Sequence, residues 1–224
     1  MPRTVEHSRA IEDYAKAIYG LEQRGDGPVG TTALAQRMGV SPASASAMVK
    51  RLAEVGLVAH LPYRGVRLTP SGVRVALEVI RHHRLLETYL VEYLDVPWDQ
   101  VHAEAEVLEH VLSEELEALI AAKLGHPTHD PHGDPIPSAD LAIDEHRGPA
   151  LAALPVGGHG VLTRVSDSDP AMLRYLAERG IAVGDRVEVL DIQPFDGPIR
   201  VRIGDGEHVL GTRLARTMRV ELCG

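Results

Sequence analysis

Ile11, Tyr14, Ala15, Ile18, Tyr19 and Leu21 recur at nearly helical spacing between Ser8 and Gln23, which predicts a first helix. Gly25-Asp26-Gly27-Pro28 ends it. Thr31 or Thr32 caps a short helix through Met38, with Leu34, Ala35 and Met38 turned inward, and Gly39 stops it. Ser41 caps a third helix with Pro42 at its first position, where the missing N–H costs nothing, and Gly56 ends it after Val55. Two short helices joined by Met38-Gly39-Val40-Ser41 read as a helix-turn-helix. The runs Leu57–Leu61 and Val66–Leu68, around a turn containing Gly65, read as a β-hairpin. A hairpin directly after a recognition helix is a wing. The patterns over 71–94 and 99–124 predict two long helices split at Val96-Pro97-Trp98. A proline-rich loop follows over 125–140, then a linker. From His159 the period shortens. Runs at 160–165, 186–192, 199–203, 207–210 and 217–221, interrupted by a helix at 170–179, predict a small SH3-like β-barrel.

Charge changes the picture. The net of −9 argues against a nucleic-acid partner, but residues 1–75 carry +4 and the remainder −13. A basic head on an acidic body fits a DNA reader with a separate effector region. The third helix starts Ser41-Pro42-Ala43-Ser44-Ala45-Ser46-Ala47, small enough to sit close in a major groove. The candidate double-stranded-DNA contacts are therefore Thr31, Ser41, Pro42, Ala43, Ser44, Ser46, Lys50, Arg51 and, at the wing, Arg64. Few of these are suited to bidentate base contacts, so shape readout is expected to contribute.

Seven of the twelve histidines lie between His82 and His132, which calls for a chemical explanation. On a helix Glu106, Glu109 and His110 share one face at i, i+3, i+4, with His102 one turn earlier. His83 and Glu87 repeat the spacing on the preceding helix, and the first helix offers Glu12 and Asp13. Carboxylates and imidazoles gathered this way are either a hydrated acidic face or the walls of a divalent-cation site. Oxygen-rich donors without thiolate suit Mn²⁺ or Fe²⁺ better than Zn²⁺ or Cu. Neither spacing is that of a zinc peptidase, and no nucleophile with a partner base is evident, so the chain is read as no enzyme. The one cysteine, Cys223, allows no internal disulfide, and neither a secretory signal nor a membrane-length apolar run is seen. A cytoplasmic location, no membrane and no organic cofactor are expected. A winged-helix regulator answering to a small organic ligand remains the alternative on these residues alone.

The chain resembles the diphtheria-toxin-repressor family of metal-activated repressors, manganese regulators included. The resemblance rests on Glu12-Asp13-Tyr14, Ile18-Tyr19, Ser41–Gly56, Leu68–Gly72, His82–Glu87, Val101–His110 and Pro131–Pro137. It implies a mainly α chain with a little β: a winged helix-turn-helix over 1–74, a helical dimerisation and metal-binding domain over 75–140, a linker over 141–155, and an SH3-like (FeoA-like) barrel over 156–224. It implies a homodimer that represses metal-homeostasis genes from palindromic operators. Asp13, Glu106, Glu109 and His110 match the primary metal site, and carboxylates at 13 and 106 are the manganese pattern, with Fe²⁺ the other candidate. His83, Glu87, His102, Asp130 and His132 match ancillary ligands. The ligands given by the barrel correspond to Ser166 and Asp169, or to Asp167. Lys16 stands where some short manganese regulators carry glutamate, which argues against their two-metal arrangement. By position, Trp98 and Leu108 are expected in the dimer core, and His82 at the surface.

Overall fold

The computed structural model describes residues 8–222 apart from 26, 62, 63 and 145–147. The chain forms two compact units. The first runs up to His83 and includes Glu109–Leu112 and Pro137–Ala142; the second holds the rest.

In the first unit, α1 (Arg9–Glu22), α2 (Thr31–Met38) and α3 (Pro42–Glu54) precede the hairpin β1 (Val58–Leu61) and β2 (Gly65–Leu68). Local chemistry sets these boundaries. Gly30 rather than a threonine is the cap residue of α2, and Gly39 leaves it at φ 64°, a left-handed conformation that suits glycine. Ser41 caps α3 by accepting the Ser44 N–H at 3.1 Å, with Pro42 at the first helical position. Ile18, Leu34 and Leu52, fully buried, tie the three helices together, and Val29 and Val66 join the hairpin to them. The expected tip residues Pro62 and Tyr63 lie outside the described residues; Arg64 is exposed beside them.

Helix α4 (Pro70–Leu94) begins in the first unit and ends in the second. The long helix expected over 99–124 is instead α5 (Val101–Leu108) and α6 (Glu114–Lys123). Ser113 accepts the Leu116 N–H and starts α6, and Glu114, Glu115 and Glu117 favour a helix N-terminus there. Glu109 and His110 therefore lie on a turn, not on a continuous helical face.

The second unit includes a five-stranded antiparallel sheet of order β6-β5-β4-β3-β7. Its strands are β3 (His159–Val165), β4 (Arg186–Ile192), β5 (Ile199–Ile203), β6 (Gly206–Leu210) and β7 (Met218–Leu222). Helix α7 (Pro170–Ala177) follows β3, and α8 (Thr212–Ala215) precedes β7. Leu151 and Leu154, placed in the linker by the sequence reading, are buried in this sheet's core through a short 3-10 turn at Leu151–Ala153. Trp98, half-buried, packs against the same core. The loop at 130–136 is stitched to β3: the Val165 N–H donates to the His132 carbonyl at 2.9 Å. Gly133, at φ 83°, lies so close to the strand that a Cβ there would fall 1.9 Å from the Thr163 carbonyl oxygen.

Candidate metal centre

Within the first unit, α1 presents Glu12, Asp13 and Lys16 to the turn at 109–110. The i, i+4 spacing of Glu12 and Lys16 puts them on one face, with Asp13 beside them. His110 Nδ1 lies 2.6 Å from Glu12 Oε2. Its Nε2 lies 2.9 Å from Asp13 Oδ1 and 3.5 Å from Glu109 Oε1. The Glu109 side chain is fully buried, and the Lys16 ammonium donates to both its oxygens, at 2.9 and 2.7 Å. His83 Nδ1 bonds Glu109 Oε2 and lies 3.1 Å from the Lys16 nitrogen. Burial alone would raise the Glu109 pKa, but the His83 hydrogen bond and the Lys16 charge outweigh it and hold this carboxyl below its ordinary range. His82, expected at the surface, is buried, with Nδ1 3.1 Å from the Glu109 carbonyl oxygen.

The donor set fits a divalent cation. One ligand atom each from Asp13, Glu109 and His110 lies within 4.8 Å of the others. His110 Nε2 is buried and makes no hydrogen bond among the described residues, despite the nearby carboxylates. An imidazole nitrogen facing carboxylate oxygens without a hydrogen bond is the arrangement a cation between them would satisfy. Glu106, the fourth expected primary ligand, belongs to the second unit, where it lies 3.7 Å from His102 with its side chain half exposed.

The second unit gathers its own cluster around Glu87 of α4, which is fully buried. His102 Nδ1 of α5 sits 3.1 Å from Glu87 Oε1 and 3.2 Å from Asp167 Oδ2. On the other side His132 Nδ1 is 3.7 Å from Glu87 Oε2, buried and without a hydrogen bond among the described residues. His132 Nε2 bonds the Trp98 carbonyl at 2.8 Å, and the two rings stack. Asp130 Oδ1 accepts the backbone N–H groups of His132 and Asp134, which shapes the loop. The electrostatics are those of an acidic pit. Hydrogen bonds to Asp167 and Glu87 push His102 up to about 10. Burial works against protonated His132, yet the attraction of the neighbouring Glu87 carboxylate carries it to about 9. Burial and the neighbouring Asp134 and Glu87 raise Asp130 well above the usual range. Asp167 falls to about 2, because the His102 bond overcomes burial. Protons held on the histidines offset the carboxylates here, a task a divalent cation performs equally.

Asp169 is not part of this cluster. It caps α7, accepting the Ala171 N–H at 3.1 Å, and pairs with Arg213. An aspartate directly before Pro170 is a helix start, and that signal was readable in the sequence. Asp167, two residues earlier, is the one that reaches His102. Glu12, named with Asp13 as a donor the first helix offers, bonds His110, and Lys16 bonds Glu109; both contacts depend on the tertiary approach of residues 109–110 and could not be read from spacing.

The expected DNA-reading residues form an exposed face. Pro42, Ala43, Ser44, Ser46, Lys50 and Arg51 of α3 are exposed, whereas Ala45, Val49 and Leu52 anchor the helix. Ser41 is exposed but its hydroxyl is engaged, capping α3 and bonding the Ser44 hydroxyl at 2.9 Å. Thr31 is half-buried in the first turn of α2, and Arg64 is exposed at the wing.

Comparison with known proteins agrees with this layout. Residues 6–66 match the model described as iron dependent repressor, N-terminal DNA binding domain. Residues 69–138 match the iron dependent repressor metal binding and dimerisation domain, and 150–222 match the FeoA domain. The iron-dependent repressor IdeR of Mycobacterium tuberculosis is 32% identical over 222 residues, covering 94% of this chain and 96% of that protein. The diphtheria toxin repressor of Corynebacterium diphtheriae is 32% identical over 230 residues, covering the same shares of the two chains. A solved manganese-dependent transcriptional repressor in complex with manganese aligns at TM-score 0.88 and 45% identity, over 95% of this chain and all of that one. Architecture, site and sequence agree: the chain belongs to the iron-dependent repressor family, which contains the diphtheria toxin repressor.

Proposed function

We propose that this chain is a manganese-responsive repressor, with Fe²⁺ the competing activator, acting as a homodimer on palindromic operators of metal-homeostasis genes. The observation that carries the reading is the Asp13–Glu109–His110 cluster, because α1, which supplies Asp13, also packs against the DNA-reading helices α2 and α3. Glu106 is proposed to complete this primary set. Glu87, His102, Asp167, Asp130 and His132, together with His83, are the proposed ancillary donors. Oxygen and imidazole donors without thiolate favour a hard or borderline divalent ion. A bound ion would supply positive charge between carboxylates that otherwise repel. The chain does the rest. Asp13 draws α1 toward residues 109–110, Glu109 is held in place by Lys16 and His83, and α1 in turn sets how α3 is presented. Metal binding would then shift the population toward the DNA-competent arrangement.

The exposed α3 face carries the proposed operator contacts, with Lys50, Arg51 and Arg64 at phosphates. Exposed Val107, Leu108, Leu116 and Leu119 are the proposed dimer seam. No helix among the described residues is long and apolar enough to cross a membrane, and operator binding would place the protein in the cytoplasm. The test is operator binding in chelator, Mn²⁺, anaerobic Fe²⁺ and Zn²⁺, with Asp13→Ala and Glu106→Ala beside the unaltered chain. Binding that requires Mn²⁺ and disappears in both variants is expected. Equal binding in chelator and in metal would refute the metal switch and favour an organic effector.

A further inference from the structure

A neutral imidazole carries one proton on one of two nitrogens, and the partner of one nitrogen decides what the other can do. For His110 that partner is Glu12. Its Oε2 lies 2.6 Å from Nδ1, and a carboxylate can only accept, so Nδ1 carries the hydrogen. Nε2 is then left with a lone pair. That atom is buried and makes no hydrogen bond among the described residues, although Asp13 Oδ1 lies 2.9 Å away and Glu109 Oε1 3.5 Å away. The opposite tautomer would put N–H on Nε2 and leave that nitrogen no lone pair to offer a cation. We propose that Glu12 is a positioning residue of the metal site, fixing the His110 tautomer so that Nε2 faces the cluster as a ligand instead of as a hydrogen-bond donor. This rests on the metal reading of Asp13, Glu109 and His110.

The arrangement is that of a carboxylate–imidazole–metal relay, in which an outer carboxylate orients the ring and raises its basicity. Glu12 is adjacent to Asp13 on α1, so one helical turn supplies both a ligand and the group that prepares another. The Glu12 side chain is 19% exposed, so its carboxylate keeps some hydration while it holds the ring. Lys16, one turn further along the same face of α1, is engaged by Glu109.

The test uses the metal-free full-length chain with ¹⁵N-labelled histidine, at a pH where the ring is neutral. Long-range ¹H–¹⁵N spectra, assigned with His110→Gln, report which nitrogen is protonated. The expected result is Nδ1–H in the unaltered chain and a shift toward Nε2–H in Glu12→Ala. Mn²⁺ affinity measured by electron paramagnetic resonance should fall in Glu12→Ala by about 10–100-fold. Glu12→Gln keeps an acceptor for Nδ1–H, so it should retain the tautomer and lose less affinity. A merely structural Glu12 would lower the melting temperature in both variants without moving the tautomer. Nε2–H in the unaltered chain would overturn the proposal even if Glu12→Ala did not fold. An unchanged tautomer and unchanged Mn²⁺ affinity in Glu12→Ala would overturn it as well. Nδ1–H in a chain that binds no Mn²⁺ would instead strike the metal reading, and this role with it.

Discussion

Replacing Lys16 by methionine removes the ammonium from a carboxylate that has no access to water. Stripping one partner from a buried ion pair typically costs about 3–5 kcal/mol. The Lys16 side chain is 19% exposed and His83 keeps its bond to Glu109, so the discounted cost is ~2–3 kcal/mol. At a urea m-value of about 2–3 kcal/mol/M, the unfolding midpoint in chelator should drop by roughly 1 M. Removing both charges, in Lys16→Met with Glu109→Leu, should recover much of the loss, because no orphaned carboxylate remains. Mn²⁺ should stabilise Lys16→Met by more than it stabilises the parent, since the ion then supplies the missing positive charge. The pH dependence has a definite sign. The folded Glu109 pKa lies below its unfolded value, so its contribution is present above the ordinary carboxylate range and is lost as pH falls through the folded pKa. That acid-side loss should shrink in Lys16→Met. Urea titrations followed by circular dichroism, in chelator at several pH values, measure all of this. A Lys16→Met midpoint equal to the parent's, or a double variant weaker than either single one, would refute the reasoning.

Three other outcomes follow from the structure. Trp98 is the only tryptophan and stacks on His132, so paramagnetic Mn²⁺ bound in the Glu87 cluster should quench its fluorescence, diamagnetic Zn²⁺ should not, and His132→Ala should abolish the Mn²⁺ response. Gly133→Ala places a methyl 1.9 Å from a backbone oxygen at positive φ, and scanning calorimetry should register a loss of about 2 kcal/mol or more. Lys50→Ala should weaken operator and non-specific DNA alike and lower the slope of log affinity against log salt by about 1, whereas a base-reading residue would lose more on the operator.

How much was legible depended on whether the signal was local. The α2–α3 unit and the wing follow from Gly39, Ser41-Pro42 and Gly56, which act on their own neighbours. The α5–α6 break was missed because 99–124 contains neither glycine nor proline. The Ser113 cap, with acidic residues in the next turn, was the available cue. Glu109 and His110 were picked out by helical spacing and Asp13 by the family resemblance, and the structure brings the three together although 109 and 110 lie on a turn. His82 was misjudged on the premise that neighbours on a helix cannot both be inward. Around Val79–His83, however, α4 is buried on more than one side. Leu151 was misplaced for another reason: it is packed by residues distant in sequence, which no local pattern reports.

The stitching of loop 130–136 to β3 bears on modularity. Family models divide the chain at about residue 140, yet the backbone of His132 is paired with Val165, and Asp134 is bridged by both Arg84 of α4 and Arg164 of β3. Severing the chain there would not release two finished parts. The helical fragment would keep Asp130 and His132 but lose the strand that holds their loop, and the sheet would expose an arginine without its acid. The terminal sheet is thus scaffolding for a proposed donor set that lies outside its own sequence boundaries, so a truncation intended to isolate the DNA-binding half would also disturb the loop that carries Asp130 and His132.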